Sequence, residues 1–290
     1  VFGADYHVAL AIGAVVILAY TFMGGFMAVC VTDFIQGTLM LVGLLLVPVI
    51  AFVLVGGGNV GSLLDASGVA GGHASYLSLI RNGDRPYTFV EIFSQLAWGL
   101  GYCGMPHILT RFMAVKNQQE LRKSRVIAIV WVALSLGAAV FIGIIGRAYL
   151  YPVILGTEGT VSSESVFIEM ITRIFTGDLR LPFVGGLFLC GILAAIMSTA
   201  DSQLLVTASS VSKDIYKDIL HPEADEDKVL KISRITVIVV ALLAFAIAWN
   251  PDNSIMGLVS NAWAGLGSAF GPIVLMSLFW RRTNFAGAAA

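Results

Sequence analysis

Charged side chains are scarce in this sequence. Lys, Arg, Asp and Glu make up 12% of the 290 residues, against roughly 25% in a typical soluble domain. Hydrophobic residues make up 58%, and the mean hydropathy is +0.88. Because so few charges cannot cover the surface of a water-soluble domain of this length, the composition indicates an integral membrane protein.

Cysteine and net charge are low as well. A formal net charge of -1 leaves no basic excess for binding nucleic acid. Cys30, Cys103 and Cys190 lie in apolar runs without C-x-x-C spacing, so neither a disulfide framework nor a transition-metal site is expected. The sequence also lacks the H-E-x-x-H and G-x-S-x-G motifs of hydrolases. An enzyme is therefore not expected.

Long apolar runs are what the sequence does contain. Crossing about 30 Å of hydrocarbon takes about 20 apolar residues. Candidate runs cover residues 8–29, 33–55, 88–113, 126–151, 182–211, 232–249 and 254–280. We therefore predict an all-α polytopic membrane protein with about seven transmembrane helices in a single transmembrane domain, residues 1–290.

Basic residues are unevenly distributed among the connections. Lys and Arg preferentially stay on the cytoplasmic side of a membrane. Twelve of the seventeen basic residues lie within 111–125, 213–234 and 281–282. The first helix is therefore predicted to run from outside to inside. The connection 152–181 then lies outside, and its stretch SSESVFIEMITRIF predicts an amphipathic helix on the membrane surface.

Two acidic residues, Asp33 and Asp201, lie inside or at the edge of predicted spans without a neighbouring basic residue. An ionisable group inside a membrane costs roughly 2.5–3.5 kcal/mol on insertion scales, so each is a functional candidate. Ser198 and Ser202 share a helix face with Asp201, and Thr199 flanks it. These hard oxygen ligands suit an alkali cation. The alternative is that the hydroxyls bond to backbone carbonyls or hold helices together.

The third run contains a concentration of helix breakers. The stretch WGLGYCGMPHILTRFM has Gly99, Gly101, Gly104 and Pro106 within eight residues. Such a segment predicts a broken helix, which membrane proteins tolerate where it lines a cavity. Trp98 and Tyr102 would form an aromatic wall beside the break. A simple kink with aromatic packing is the alternative, and the glycines of SNAWAGLGSAFGP (260–272) indicate packing and hinge positions.

Four stretches together resemble the solute:sodium symporter family. They are GGFMAVCVTDFIQ (24–36), WGLGYCGMPHILTRFM (98–113), AAIMSTADSQLLVTASSVSKDIYK (194–217) and NPDNSIMGLVSNAWAGLGSAFGP (250–272). The likeness extends over residues 4–282. It implies a LeuT-type core of two inverted five-helix repeats, of which the seven runs would be core helices four to ten. The chain is accordingly expected to be an internal part of a longer protein.

The resemblance also implies an ion and its ligands. In the family, sodium is held by carbonyls of the broken first core helix and by an alanine and two hydroxyl residues of core helix eight. The matching positions here are Ala195, Ser198 and Thr199. Some members bind a second sodium with an acid from core helix five and side chains one turn further along helix eight. Those positions match Asp33, Asp201 and Ser202.

Substrate contacts follow from the same resemblance. The residues of the proline-carrying branch match Trp98, Tyr102 and Pro106. We therefore expect sodium-coupled uptake of L-proline across a bacterial cytoplasmic membrane, with a sugar, sialic acid, pantothenate or a monocarboxylate as alternative solutes. A seven-helix receptor or retinal protein is a distant alternative, since no predicted span contains a lysine. An ion channel would pass sodium without solute.

Overall fold

The computed structural model describes residues 5–83, 85–153, 163–250 and 255–289. Its α-helices are α1 (Tyr6–Val55), α2 (Val60–Ala66), α3 (Gly72–Tyr76), α4 (Phe89–Gly101), α5 (Pro106–Met113), α6 (Gln118–Leu150), α7 (Val166–Thr172), α8 (Pro182–Ser209), α9 (Glu226–Ile247), α10 (Ile255–Phe279) and α11 (Phe285–Ala289). Short 3₁₀ turns cover Gly57–Asn59, Tyr102–Gly104 and Ser163–Ser165, and π-helical segments cover Arg173–Asp178 and Ser210–Leu220. Strands β1 (Arg81–Asn82) and β2 (Arg85–Pro86) pair antiparallel.

The polytopic all-α class is confirmed. Within the described ranges, five helical segments are long and apolar enough to cross a membrane. They are Val29–Val55, Gln118–Leu150, Pro182–Leu220, Glu226–Ile247 and Ile255–Phe279. Tyr6–Ala19 forms a shorter apolar helical stretch, and the run at 88–113 is divided between α4 and α5.

One predicted boundary is wrong. The runs 8–29 and 33–55 were expected to form separate helices, but α1 continues through both for 50 residues. The residues between them are Cys30, Val31 and Thr32, which include neither glycine nor proline. Since nothing in this segment interrupts backbone hydrogen bonding, the helix continues to a length of about 75 Å.

Contacts group the described residues into two compact units, one formed by 30–92 and 122–198 and the other by the rest. The first unit has a hydrophobic core contributed by α1, α6, α7 and α8. Met170, Ile171 and Ile174, from the predicted amphipathic helix, are fully buried in it. Burying such a side chain contributes about 1.5–3 kcal/mol. The apolar face of α7 therefore packs against protein.

The start of α4 is set by a capping box at Thr88 and Glu91. The Thr88 hydroxyl accepts the Glu91 backbone N–H at 3.3 Å, and the Glu91 carboxylate accepts the Thr88 N–H at 2.8 Å. Arg85 adds two hydrogen bonds to the same carboxylate, the shorter at 2.7 Å. These bonds satisfy donors that the first helical turn leaves open, so α4 begins at a defined residue ahead of the break.

Candidate functional site

The predicted break in the third run is confirmed. The α-helix α4 ends at Gly101, a 3₁₀ turn follows, and Met105 is extended with φ -89° and ψ 109°. Pro106 then occupies the first turn of α5. Proline suits this position because its missing N–H is not needed there and its φ is already helical. The main chain therefore leaves helical geometry over a few residues and resumes it at once.

Helix α10 packs directly against this break, and glycines permit the close approach. A Cβ atom on Gly104 would lie 2.4 Å from the carbonyl oxygen of Leu266. A Cβ atom on Gly267 would lie 2.9 Å from the Cα atom of Gly101. Both distances are far below van der Waals contact and involve backbone, which cannot move aside easily. Glycine at these positions is therefore required by the packing of α10 on the break.

An aromatic cluster lies beside the packed glycines. The rings of Trp98 and Trp263 are stacked, with centroids 5.6 Å apart and planes 10° from parallel. Tyr102 meets Trp263 edge-on at 4.7 Å. The indole N–H of Trp263 also donates a 3.2 Å hydrogen bond to the carbonyl oxygen of Trp98. Trp263 thus connects the two aromatic residues that the sequence placed beside the break.

Sequence reasoning missed Trp263, because it assigned the 260–272 stretch to packing and hinge positions. A signal was nevertheless present. Trp263, Gly267 and Gly271 follow one another at a spacing of four residues, which places them on one face of a helix. A tryptophan in line with glycines indicates a face that both approaches a neighbouring backbone and offers a flat ring.

A cleft of about 370 Å³ opens between α4 and α10. Its lining includes Trp98 and Gly101 from α4, and Ser260, Trp263, Gly267 and Ser268 from α10. The volume lies near the lower end of the range of about 300–1,000 Å³ found for small-molecule sites. Of the three predicted substrate residues, only Trp98 lines this cleft. Tyr102 contacts the ring of Trp263, which lines the cleft, and Pro106 begins the helix that follows the break.

The predicted oxygen ligands lie on the middle of α8. The hydroxyl of Ser198 donates a 3.0 Å hydrogen bond to the carbonyl oxygen of Ala195. Bonding back to the preceding turn is common for helical serines. A hydroxyl that donates its proton keeps two lone pairs on its oxygen, so this bond is chemically compatible with a role as a cation ligand. The division between the two units passes through α8 here, with Ser198 in the first and Thr199 in the second.

The next turn of α8 carries buried polar groups. Asp201 is 0% exposed and Ser202 is 6% exposed. The hydroxyl of Ser202 lies 3.4 Å from a carboxylate oxygen of Asp201, and it accepts a 2.6 Å hydrogen bond from Nη2 of Arg111 on α5. Sequence reasoning used Arg111 only as a marker of the cytoplasmic side. Asp33, the remaining member of the predicted second sodium site, belongs to the first unit.

A larger cavity, of about 730 Å³, lies at the carboxyl end of α8. Thr110, Ser209, Ser212 and Ser233 contribute hydroxyls to its lining, and Lys213 and Asp214 contribute charge. Ser209 lies two turns beyond Ser202 along the same helix. In the part of the chain that the structure covers, no group of three or more His, Cys, Asp or Glu side chains could hold a metal ion.

A helix broken beside an aromatic cleft, together with polar oxygens buried in a membrane-spanning helix, is the architecture of a secondary transporter. The chain belongs to the sodium:solute symporter family, whose sequence model matches residues 1–290.

The chain is similar to sodium/proline symporters from Staphylococcus aureus. It is 42% identical to one over 292 residues, which cover 100% of this chain and 54% of that protein. The proteins of that name from strains Newman and COL show the same identity and coverage. The chain therefore spans about half the length of the curated relatives it matches. These relatives are named as transporters, not as enzymes.

Proposed function

We propose that the protein couples inward movement of sodium to uptake of L-proline, by alternating access, across a bacterial cytoplasmic membrane. The structural observation that carries this proposal is the aromatic-walled cleft beside the helix break, formed by Trp98 and Trp263. Its apolar surface suits a compact saturated ring. The similarity to proteins named sodium/proline symporters supports the choice of ion and solute.

Sodium is the co-transported substrate in this proposal. The carbonyl of Ala195 and the hydroxyls of Ser198 and Thr199 supply hard oxygens on one stretch of α8. Family members complete such a site with carbonyls from a further broken helix. An inside-negative potential favours inward movement of each sodium ion by about 2.3 kcal/mol per 100 mV. The ion gradient thereby supplies the free energy for solute accumulation.

A second sodium at Asp33, Asp201 and Ser202 is the alternative stoichiometry. In the described structure a cationic side chain, Arg111, already donates a hydrogen bond to Ser202. A guanidinium at this position repels a second sodium ion. Its positive charge also lowers the electrostatic benefit of placing a sodium ion beside the buried carboxylate. This contact favours one sodium per proline over two.

The cavity at the carboxyl end of α8 provides a route for release. By the distribution of Lys and Arg it faces the cytoplasm. Its hydroxyls continue the polar surface of α8 beyond Ser202, and their oxygen atoms can replace water around a departing cation. Coupling then requires that sodium bind one conformation more tightly than the other, since equal affinity would shift no equilibrium.

The proposal is tested with the complete gene product in proteoliposomes under an imposed sodium gradient. We expect uptake of radiolabelled L-proline that depends on inward sodium and is abolished by excess unlabelled proline. The control is an inward potassium gradient of the same size, at the same membrane potential. Uptake of a sugar, sialic acid, pantothenate or a monocarboxylate, without competition by proline, would assign the protein to another branch. Sodium flux without solute would indicate a channel.

A further inference from the structure

We propose that Arg111 is a built-in cation that takes the place of a second sodium ion beside Asp201, and that removing its charge creates a sodium site there. The inference rests on the proposed function and deepens it, because it names the residue that sets how many sodium ions move with each solute molecule. Arg111 acts on ion binding through the side chains of α8, so it is a positioning residue.

The carboxyl group of Asp201 lies in surroundings that require positive charge. Its side chain is 0% exposed, and it belongs to the membrane-spanning segment Pro182–Leu220. An ionised carboxylate in such a place is costly unless a cation or hydrogen bonds compensate it. The compensation comes from a proton, from a bound ion or from a cationic side chain. Electrostatics alone therefore call for a positive group at this turn of α8.

Two hydrogen bonds in series connect a guanidinium to this carboxylate. Nη2 of Arg111 donates to the hydroxyl oxygen of Ser202 at 2.6 Å. The same hydroxyl donates towards a carboxylate oxygen of Asp201, 3.4 Å away. Ser202 thus accepts from the cation and directs its own proton at the anion. Hydrogen bonds from a guanidinium are roughly twice as strong as those between neutral groups, so the orientation of the Ser202 hydroxyl is well defined.

This arrangement uses the oxygen that a second sodium ion would need. Sodium is bound through the lone pairs of hard oxygen atoms, and one lone pair of Ser202 already accepts from Arg111. A guanidinium does not lose its proton in proteins, so its positive charge persists at every stage of transport. A sodium ion at Ser202 would lie close to that charge and be repelled by it.

The preceding turn of α8 provides the contrast. Ser198 donates to the carbonyl oxygen of Ala195 at 3.0 Å, and that acceptor is neutral. A cation ligand is compatible with this bond, because the Ser198 oxygen keeps its lone pairs. One turn of α8 is therefore suited to a travelling sodium ion, and the next turn contacts a positive charge that is tethered to α5.

The experiment measures the ratio of radiolabelled sodium to radiolabelled L-proline that enters proteoliposomes containing the complete protein. It compares the wild type with Arg111→Gln, with Arg111→Lys and with Arg111→Gln combined with Asp201→Asn. Arg125→Gln is the matched control, because Arg125 is exposed on α6. A second readout, which needs no transport, is the rise in Tm when sodium replaces potassium in detergent without solute.

We expect one sodium ion per proline for the wild type, for Arg111→Lys and for Arg125→Gln. Arg111→Gln should move two, so that an inward sodium gradient of about tenfold, at zero potential, accumulates proline up to about a hundredfold instead of about tenfold. Adding Asp201→Asn should return the ratio to one. In detergent, sodium should raise the Tm of Arg111→Gln by about 2 °C or more beyond its effect on the wild type, and the double variant should lose this excess.

Two sodium ions per proline in the wild type would overturn the inference. An unchanged ratio in Arg111→Gln would also overturn it, whether or not protons then take the place of the second ion. Should Arg111→Gln not fold, Asp201→Asn alone decides the question. The inference requires that it keep the wild-type ratio, and the loss of one sodium ion per proline would contradict it. If the wild type takes up no proline, the proposed function fails, and the sodium-dependent Tm still tests Arg111 separately.

Discussion

Arg111 of α5 donates a 2.6 Å hydrogen bond to the hydroxyl of Ser202, whose neighbour Asp201 is completely buried. The bond joins residues 91 positions apart. A buried carboxylate requires compensating positive charge or hydrogen bonds, and the Arg111–Ser202 contact brings a guanidinium to the same turn of α8. The arginine is therefore expected to contribute to stability.

We expect Arg111→Gln to destabilise the protein by about 2 kcal/mol, because a buried charge loses a nearby cation. Adding Asp201→Asn should restore part of this loss, since the charge to be compensated is then gone. Thermal unfolding in detergent of the wild type, the two single variants and the double variant measures this coupling. Arg125→Gln is the control, because Arg125 is exposed on α6. Strictly additive effects of the two substitutions would show that Arg111 and Asp201 are not coupled.

Sodium dependence tests the oxygen ligands on α8. Replacing both Ser198 and Thr199 by Ala should raise the sodium concentration for half-maximal uptake at least about tenfold, which corresponds to roughly 1.4 kcal/mol of lost binding. Thr207→Ala is the matched control, because Thr207 lies on the same helix and donates a hydrogen bond to the carbonyl of Gln203 in the preceding turn. An unchanged sodium dependence in the double variant would make these hydroxyls structural.

The close packing of α10 on the helix break predicts a difference between two glycines of one segment. Gly104→Ala should destabilise the protein by about 1–3 kcal/mol, since its Cβ would overlap backbone of α10. A Cβ atom on Gly99 would meet no other atom within 4 Å. Gly99→Ala should therefore leave the free energy of unfolding unchanged or raise it by up to about 1 kcal/mol, because alanine favours the helix. Thermal unfolding of both variants in the same detergent makes the comparison. Equal effects would contradict the tight packing.

Asp65 of α2 is connected to His73 of α3 by hydrogen bonds that depend on the ionisation of the Asp65 carboxyl group. The backbone N–H of His73 donates to Asp65 at 2.6 Å, and the imidazole Nδ1 lies 2.7 Å from the second carboxylate oxygen. These bonds lower the pKa of Asp65 below its ordinary value of 3.8. A carboxyl group with a lowered pKa stabilises the fold at pH values above 3.8, and this contribution is lost as the pH falls through the lowered pKa.

Hydrogen exchange of the peptide that contains His73 measures this effect. Wild-type protein should show greater protection than Asp65→Ala at pH 5 and above, after correction for intrinsic exchange rates. The difference should disappear well below pH 3.8, where the carboxyl group is protonated in both the folded and the unfolded protein. The control is Ser62→Ala. It removes a hydroxyl of α2 that bonds to the carbonyl of Asn59, away from the Asp65–His73 contact, and it should behave as wild type. Equal exchange in wild type and Asp65→Ala at neutral pH would exclude the contact.

Some features of the fold could be predicted because they depend on local chemistry. The break at Tyr102–Gly104 follows from glycines and a proline close together, and this run divides where they lie. The continuity of α1 was missed because a hydropathy scan separates runs by length and cannot tell a turn from a helix that continues. Cys30, Val31 and Thr32 offered no turn signal, and local hydrogen bonding was sufficient to continue the helix.

The sequence alone was sufficient to predict that the protein is a helical membrane protein, that its third apolar run is interrupted, and that the run containing α8 carries polar oxygens. Those properties come from composition, from backbone preferences and from the spacing of residues along one helix. The stacking of Trp263 on Trp98, 165 positions away, and the hydrogen bond from Arg111 to Ser202 became evident from the three-dimensional structure. Contacts of this kind depend on which helices pack together and at what rotation, and the periodicity of a single helix contains no information about its neighbour.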